Sequence, residues 1–475
     1  MRDSRADCSS SRFSAAAVSI ADRLAIRGID AKRSFVVAGD GQLPGSLASC
    51  VSAGSTSKHT LRIKVLGASM TAAAMNHGHE HKELGWAALL AEQLRSVLPC
   101  RVIVEVRAEG GTTISSALAN YPALVDPTDD VVMLDYSIND GRARTDELSS
   151  RKLEAATELF VRRALSSAQG VVLIESWANL VGQLTLRCAE SRATIARHYS
   201  LPMVSFMQAV CNASSRSAHS IEPARRFWRS SCHTLDGEGQ HPDNCLQHPG
   251  PTTHEIYASL VAFALFRQAS LAVCAEGRPR SAPLPGPLAS PGLLRTVGAC
   301  ATPLSWLHVP SQRYNTQLQA KIPTRTGPVR KGHLGSGWRF YADRPGKPGL
   351  IGNGSVAGNV LHWPWLPFTM NGSLVVGYLR SYEGQGRARV SLGSNRSDDT
   401  GVTLDGTWAS HTSQVDVTVL RVADLLHPAE LAELTRRSWK TGVQRMHNMP
   451  LWFEVLPPTS RGGADKFKVV DVVTC

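Results

Sequence analysis

Between residues 61 and 266 the chain alternates short apolar runs with longer stretches of helical spacing, and few folds accept that rhythm. LRIKVLG (61–67), RVIVEVR (101–107), DVVMLDYS (130–137), GVVLIESW (170–177) and LPMVSFM (201–207) are rich in Val, Ile and Leu and short enough to be buried strands. Leu84, Ala87, Ala88, Ala91 and Leu94 recur at helical spacing within Leu84–Leu98. Thr113–Leu124, Glu147–Ala168, Thr185–Tyr199 and Glu255–Phe266 are the other expected helices. Strands alternating with helices predict βαβ units, a parallel sheet and helices on both of its faces.

The flanks differ in texture. Residues 1–60 are rich in Ser, Ala, Gly and Arg without a sustained period, and are expected to be a disordered or weakly ordered arm. The α/β domain is expected over 61–275. GRPRSAPLPGPLASPG (277–292) can continue neither a helix nor a central strand, so 276–299 reads as a linker. In 300–475 short runs such as WRFYA, SLVVGYL, ARVSL, VDVTVL, LWFEVL and FKVVDVV are separated by turn residues, with one expected helix at Ala429–Arg437. That pattern predicts a β-rich, sandwich-like C-terminal domain.

Composition bounds the function. Apolar residues make up 43% of the chain, which is globular rather than disordered. The formal charge is +12, but basic and aromatic residues are not interleaved as a nucleic-acid groove requires, so no nucleic-acid partner is expected. The longest apolar candidate, Ile256–Val273, is interrupted by Arg267 and Gln268 and reads as a buried helix, not a membrane span. The run His77, His79, His81 with Glu80 and Glu83 lacks a strand pattern and reads as a solvated loop rather than a metal site. Ten cysteines, without a CxxC pair, and sequons at Asn212, Asn353, Asn371 and Asn395 favour the secretory pathway or the cell exterior. Met1–Cys50 shows no clear signal peptide, because Asp22 and Arg23 break its apolar stretch. Oligomeric state is not readable.

In open parallel sheets the reacting groups sit on loops beyond the carboxyl ends of the strands. There the chain carries GASMT (67–71), EGGTT (109–113), SINDG (137–141) and, before the last helix, HPDNCLQHP (241–249). These loops hold what acyl transfer needs. A serine hydroxyl is a weak nucleophile until a base takes its proton, and Ser69 sits on a tight turn after a strand. Histidine is the usual base. The oxyanion needs preformed donors, each worth about 3–4 kcal/mol of barrier. The backbone N–H of Ser69, the backbone N–H of Gly111 and the amide of Asn139 are the candidates.

Taken in order, the four loops resemble the signature blocks of the SGNH (GDSL-type) hydrolases: GAS for GDS, GGT for the glycine block, SIND for GxND, and HPGPTTH (248–254) for the histidine block. DVVMLDYSIND (130–140) looks like the "DLV-x-x-E-Y-x-x-ND" version found in eukaryotic members with a GGS/GAS first block, with Asp135 where that version has Glu. The resemblance covers about residues 61–270. It implies a flavodoxin-like three-layer sandwich, a Ser69 nucleophile, a His248 base, an oxyanion hole of Ser69, Gly111 and Asn139, and no metal or organic cofactor. The family's acid stands three residues before the histidine, where this chain has Cys245. Asp243 is then the expected partner of His248, with a Cys232–Cys245 disulfide able to brace the longer loop; alternatively a backbone carbonyl holds the ring in a dyad. Asp236 stands in the same relation to His241, which is read as a loop residue.

The expectation is therefore a serine esterase removing acyl groups, acetyl foremost, from a carbohydrate or similar polyhydroxylated substrate. The alternatives are an acyltransferase on the same site and a non-catalytic protein with a degenerate SGNH domain. In the C-terminal region, VGYLRSYEGQG (376–386) resembles an element of eukaryotic SGNH-like proteins, and Trp338, Trp363, Trp365 and Trp408 are either a sugar-stacking face or sandwich core.

Overall fold

The computed structural model describes residues 11–37, 47, 50, 60–73, 82–143, 147–167, 170–176, 192–210, 248–274, 284–297, 305–308, 337–342, 348–355, 359–369, 371–382, 384–394, 400–408, 413–441, 446–458 and 466–474. By internal contacts the chain divides into two compact units, Met1–Ile114 with Leu124–Ser290, and Ser115–Ala123 with Pro291–Cys475.

The first unit is built on a sheet of β1 (Phe35–Val37), β2 (Thr60–Gly67), β3 (Arg101–Ala108), β4 (Val131–Asp135), β5 (Gly170–Glu175) and β6 (Pro202–Ser205). Its order is β1-β6-β5-β4-β2-β3. All pairings are parallel except that of β1 with β6. β4 and β5 are buried at every position, as strands covered by helices on both faces must be. The order turns back on itself between β2 and β4, the crevice where open α/β sheets place their ligands.

Among the described residues the α-helices up to residue 274 are α1 (Arg12–Ile26), α2 (Ala31–Ser34), α3 (Trp86–Val97), α4 (Ile114–Ala119), α5 (Tyr121–Leu124), α6 (Ser137–Ala143), α7 (Glu147–Ser166), α8 (Ala193–His198), α9 (Phe206–Val210) and α10 (Pro251–Cys274), of which α4 and α5 fall mainly in the second unit. α10 is longer than expected and buries Ile256, Tyr257, Leu260, Val261 and Leu265 around its circumference. A helix that is apolar on all sides needs cover on all sides, and α1 supplies part of it. Among the described residues no helix is long and apolar enough to cross a membrane.

The structure adds detail to three expectations. Within the N-terminal arm, α1 is capped by the Ser11 hydroxyl and buries Phe13, Ala17, Ile20 and Leu24, and β1 adds an antiparallel edge strand. The expected helix Thr113–Leu124 is two short helices, because Pro122 has no N–H to continue the first one. Of the expected linker, 284–290 is pinned to α7. Glu158, 1% exposed, accepts hydrogen bonds from the N–H of Leu288 (2.5 Å), the N–H of Ala289 (2.7 Å) and the Tyr199 hydroxyl (2.5 Å). Residues 291–297 form α11 (Pro291–Val297), with proline at the first helical position, where its missing N–H costs nothing.

The second unit is a β-sandwich. Its strands are β7 (Ser305–His308), β8 (Trp338–Ala342), β9 (Pro348–Asn353), β10 (Val360–Phe368), β11 (Ser373–Arg380), β12 (Arg387–Leu392), β13 (Val402–Asp405), β14 (Gln414–Arg421), β15 (His447–Val455) and β16 (Lys466–Thr474). One antiparallel sheet runs β10-β15-β12-β13; the other runs β14-β11-β16-β9-β8, with β7 also paired to β16. α12 (Val422–Leu425) and α13 (Pro428–Thr441) follow β14. Leu361, Val390, Leu451 and Phe453 from one sheet share a core with Leu374, Val376, Phe467 and Val469 from the other. Trp338 and Trp363 belong to that core, each edge-on to Phe453, so neither offers a sugar-stacking face. Trp408 carries the Arg380 guanidinium over its ring at 4.3 Å, and the side chain of Trp365 lies outside the described residues.

Candidate active site

The turn that holds Ser69 begins where β2 ends. Gly67, the last residue of β2, has no room for a side chain: a Cβ there would stand 2.0 Å from Thr71 Oγ1. The chain can therefore fold back on itself at once, and the half-buried Ser69 lies at the bend between Ala68 and Met70. Backbone bonds stitch this turn to both neighbouring strand ends. Ala68 N–H donates to the Asp135 carbonyl at 3.2 Å, and Glu109 N–H donates to the Gly67 carbonyl at 3.2 Å.

The second loop follows β3. Gly111 has φ +88°, the left-handed region that only glycine enters without a steric penalty. The third block does not continue as strand to residue 137 but turns straight into α6, which carries Asn139 and Asp140 on its first turns. Both are buried, at 4% and 2% exposure. Asn139 Nδ2 donates to the Thr112 carbonyl at 2.8 Å, which fixes the plane of the amide beside the glycine loop. Asp140 Oδ1 accepts from Ile114 N–H at 3.0 Å, and its other oxygen pairs with the buried Arg192. Asp140 thus braces the glycine loop to Arg192. Its buried cation, Arg192, was not legible as a partner.

The fourth block meets α10. His248 is half-buried and Pro249 and Gly250 are buried just before the helix begins. His254, one turn into α10, is fully buried, and its Nδ1 accepts from the Trp86 N–H at 3.2 Å. Trp86 is the first residue of α3, whose N-cap Gly85 has no side chain to cap it. A histidine distant in sequence therefore caps this helix. Burial pushes the His254 ring down to about 3, and the charge of nearby His248 adds to the effect. His254 thus stays neutral, which its acceptor role requires. Asp243, His241 and the Cys232–Cys245 pair lie outside the described residues, as does the His77–His81 run. The disulfide that is described joins Cys50 to Cys100.

Under the serine turn lies a group that sequence reading noticed without assigning. Asp135, the last residue of β4, is 2% exposed. Its Oδ2 accepts from the Thr71 hydroxyl at 2.7 Å and its Oδ1 from the Ser176 hydroxyl at 2.5 Å. Burial raises its pKa above the usual carboxylate value, against the opposing pull of these two hydroxyls.

Hydrogen bonds thus join the GAS, GGT and SIND loops to one another at the reversal point of the sheet, with Ser69, Gly111 and Asn139 one on each. No protein-family model matches the chain, and no curated protein matches its sequence. In structure it is similar to a two-domain esterase active on acetylated mannans, with a TM-score of 0.56 at 16% identity, covering 94% of this chain and 98% of that one. The same kind of esterase co-crystallised with mannopentaose gives 0.56 at 17% identity, over 94% and 97% of the two chains. Identity this low speaks to the fold alone. Strand order, parallel sheet and the following sandwich agree with it: this chain has the SGNH hydrolase fold, extended by a β-rich C-terminal domain.

Proposed function

We propose that the protein is a serine esterase of SGNH type that removes acetyl or similar small acyl groups from a carbohydrate. The observation that carries this reading is the hydrogen-bonded convergence of three loops at the sheet reversal, each bearing one residue that acyl transfer requires. The likeness to an esterase active on acetylated mannans supports the substrate class.

Ser69 Oγ attacks the ester carbonyl carbon while His248 takes its proton. The carbonyl oxygen becomes an oxyanion and receives the backbone N–H groups of Ser69 and Gly111 and an N–H of the Asn139 amide. His248 returns the proton to the departing sugar oxygen, leaving acetyl on Ser69. Water, deprotonated by His248, then attacks the acyl-enzyme carbonyl, and His248 returns that proton to the departing Ser69 Oγ, releasing acetate and restoring the free enzyme. Asp243 or a backbone carbonyl orients the His248 ring. The cycle consumes one water and needs no cofactor.

The test is acetate release from acetylated mannan and from a p-nitrophenyl acetate reporter by the full chain beside Ser69→Ala. Release from both by wild type alone supports the proposal. Equal rates in wild type and variant overturn the catalytic reading, and activity on the reporter without activity on the glycan overturns the substrate class.

A further inference from the structure

The buried polar groups behind the serine turn form one connected set, and the mechanism above uses none of them. Asp135 stands at its centre. Thr71, in the turn of Ser69, donates its hydroxyl to Oδ2 at 2.7 Å; Ser176, just past the end of β5, donates to Oδ1 at 2.5 Å. Ser176 N–H then donates to Ser137 Oγ at 2.7 Å, and Ser137 is the first residue of α6, the helix of Asn139. The backbone carbonyl of Asp135 holds Ala68 N–H as well, so the turn is gripped by one residue through two oxygens. Gly67 is what lets Thr71 come down onto the strand end, since any Cβ would collide with its hydroxyl.

We propose that Asp135 is the positioning residue of this site: through Thr71 it sets the Ser69 turn, and through Ser176 and Ser137 it sets the start of the helix that carries Asn139. This inference rests on the esterase reading and deepens it. A carboxyl group is suited to the task because two oxygens in one rigid plane each accept from a different loop. The nucleophile and an oxyanion donor are thereby referred to one fixed point. Displacement of a reacting group by about 1 Å costs on the order of 100-fold in rate, so a lost hydroxyl here is felt in kcat and not in substrate affinity.

The consequence separates positioning from mere stability. Thr71→Val keeps the shape of the side chain and removes the donor; Thr71→Ser keeps the donor and removes a methyl group. In the full chain, Thr71→Val is expected to lower kcat on p-nitrophenyl acetate by about 10- to 100-fold with KM within about 2-fold, and to slow covalent labelling of Ser69 by a fluorophosphonate by a similar factor. Thr71→Ser is expected to stay within about 3-fold of wild type on both measures. Ser176→Ala, further from the nucleophile, is expected to show a smaller kcat loss of the same kind, and it decides the question if Thr71→Val does not fold. Wild-type kcat in Thr71→Val, or equal loss in Thr71→Val and Thr71→Ser, overturns the proposal. If Thr71→Val does not fold, wild-type kcat in Ser176→Ala overturns it. Failure of the esterase reading is separate: there the wild type neither turns over nor labels at Ser69.

Discussion

The central strands of the first unit and the strands of the second bury polar groups in different places. In the parallel sheet of the first unit, β4 and β5 are buried throughout, and polar residues come at their carboxyl ends: Asp135 closes β4, Glu175 closes β5 and Ser205 closes β6. Ser205 donates to Glu175 at 2.9 Å, and Asp135 receives two hydroxyls. In the sandwich of the second unit, β15 alternates partly buried and buried positions, and buried polar residues such as Ser391, Lys468 and Asp471 are spread along the strands. A parallel sheet points the ends of its strands at one rim and so collects chemistry there, whereas an antiparallel sandwich spreads its polar groups along its length. The first unit therefore announces a site and the second announces a core.

The sharpest way to break that contrast is at the rim. Ser69→Ala is expected to lower kcat on a short acyl ester by about 10⁴-fold or more, the scale for loss of a nucleophile, measured by steady-state kinetics. Next in size is a core change in the sandwich. Phe453 is fully buried between Trp338 and Trp363, and Phe453→Ala should destabilise the second unit by about 3–5 kcal/mol, measured as a lowered denaturant midpoint of the tryptophan fluorescence transition. Asn139→Ala is expected to cost about 100- to 1,000-fold in kcat, the scale of one lost oxyanion donor, with KM little changed.

The smallest effect is a pH slope. His254 is held at about 3 in the fold, below the ordinary histidine value of 6.5, so folding favours the neutral ring. Its stabilising contribution is complete above 6.5 and is lost as pH falls from there towards 3. Between pH 6 and 5 the slope approaches about 1.4 kcal/mol per unit. His254→Asn keeps an acceptor for the Trp86 N–H and cannot titrate. Denaturant melts at pH 6 and pH 5 should show that slope reduced in the variant; an unchanged slope would assign the acid lability to other groups.

The fold of the first unit was legible because its strands and helices differ in length and period. Helix α1 was not read from the sequence, although Phe13, Ala17, Ile20 and Leu24 have helical spacing, because four-residue steps of Ala and Ser carry little apolar contrast. Ser69, Gly111 and Asn139 could be proposed from sequence because each stands a few residues past the end of an apolar strand run, beside glycine or serine. The roles of Thr71, Asp135 and Arg192 were not, since they depend on side chains meeting across a sheet, which spacing along one chain does not encode. The tryptophans of the second unit were ambiguous for the same reason: a ring in a sandwich core and a ring on its face obey one alternation, and only the packing against Phe453 separates them.

The central claim is that Ser69 is an activated nucleophile at the reversal point of the sheet. Reaction of the full chain with a fluorophosphonate, followed by peptide mass mapping, tests it most directly. A single adduct on the peptide containing Ser69, absent from Ser69→Ala, is the predicted result. No adduct, or one on another residue that persists in Ser69→Ala, would contradict it.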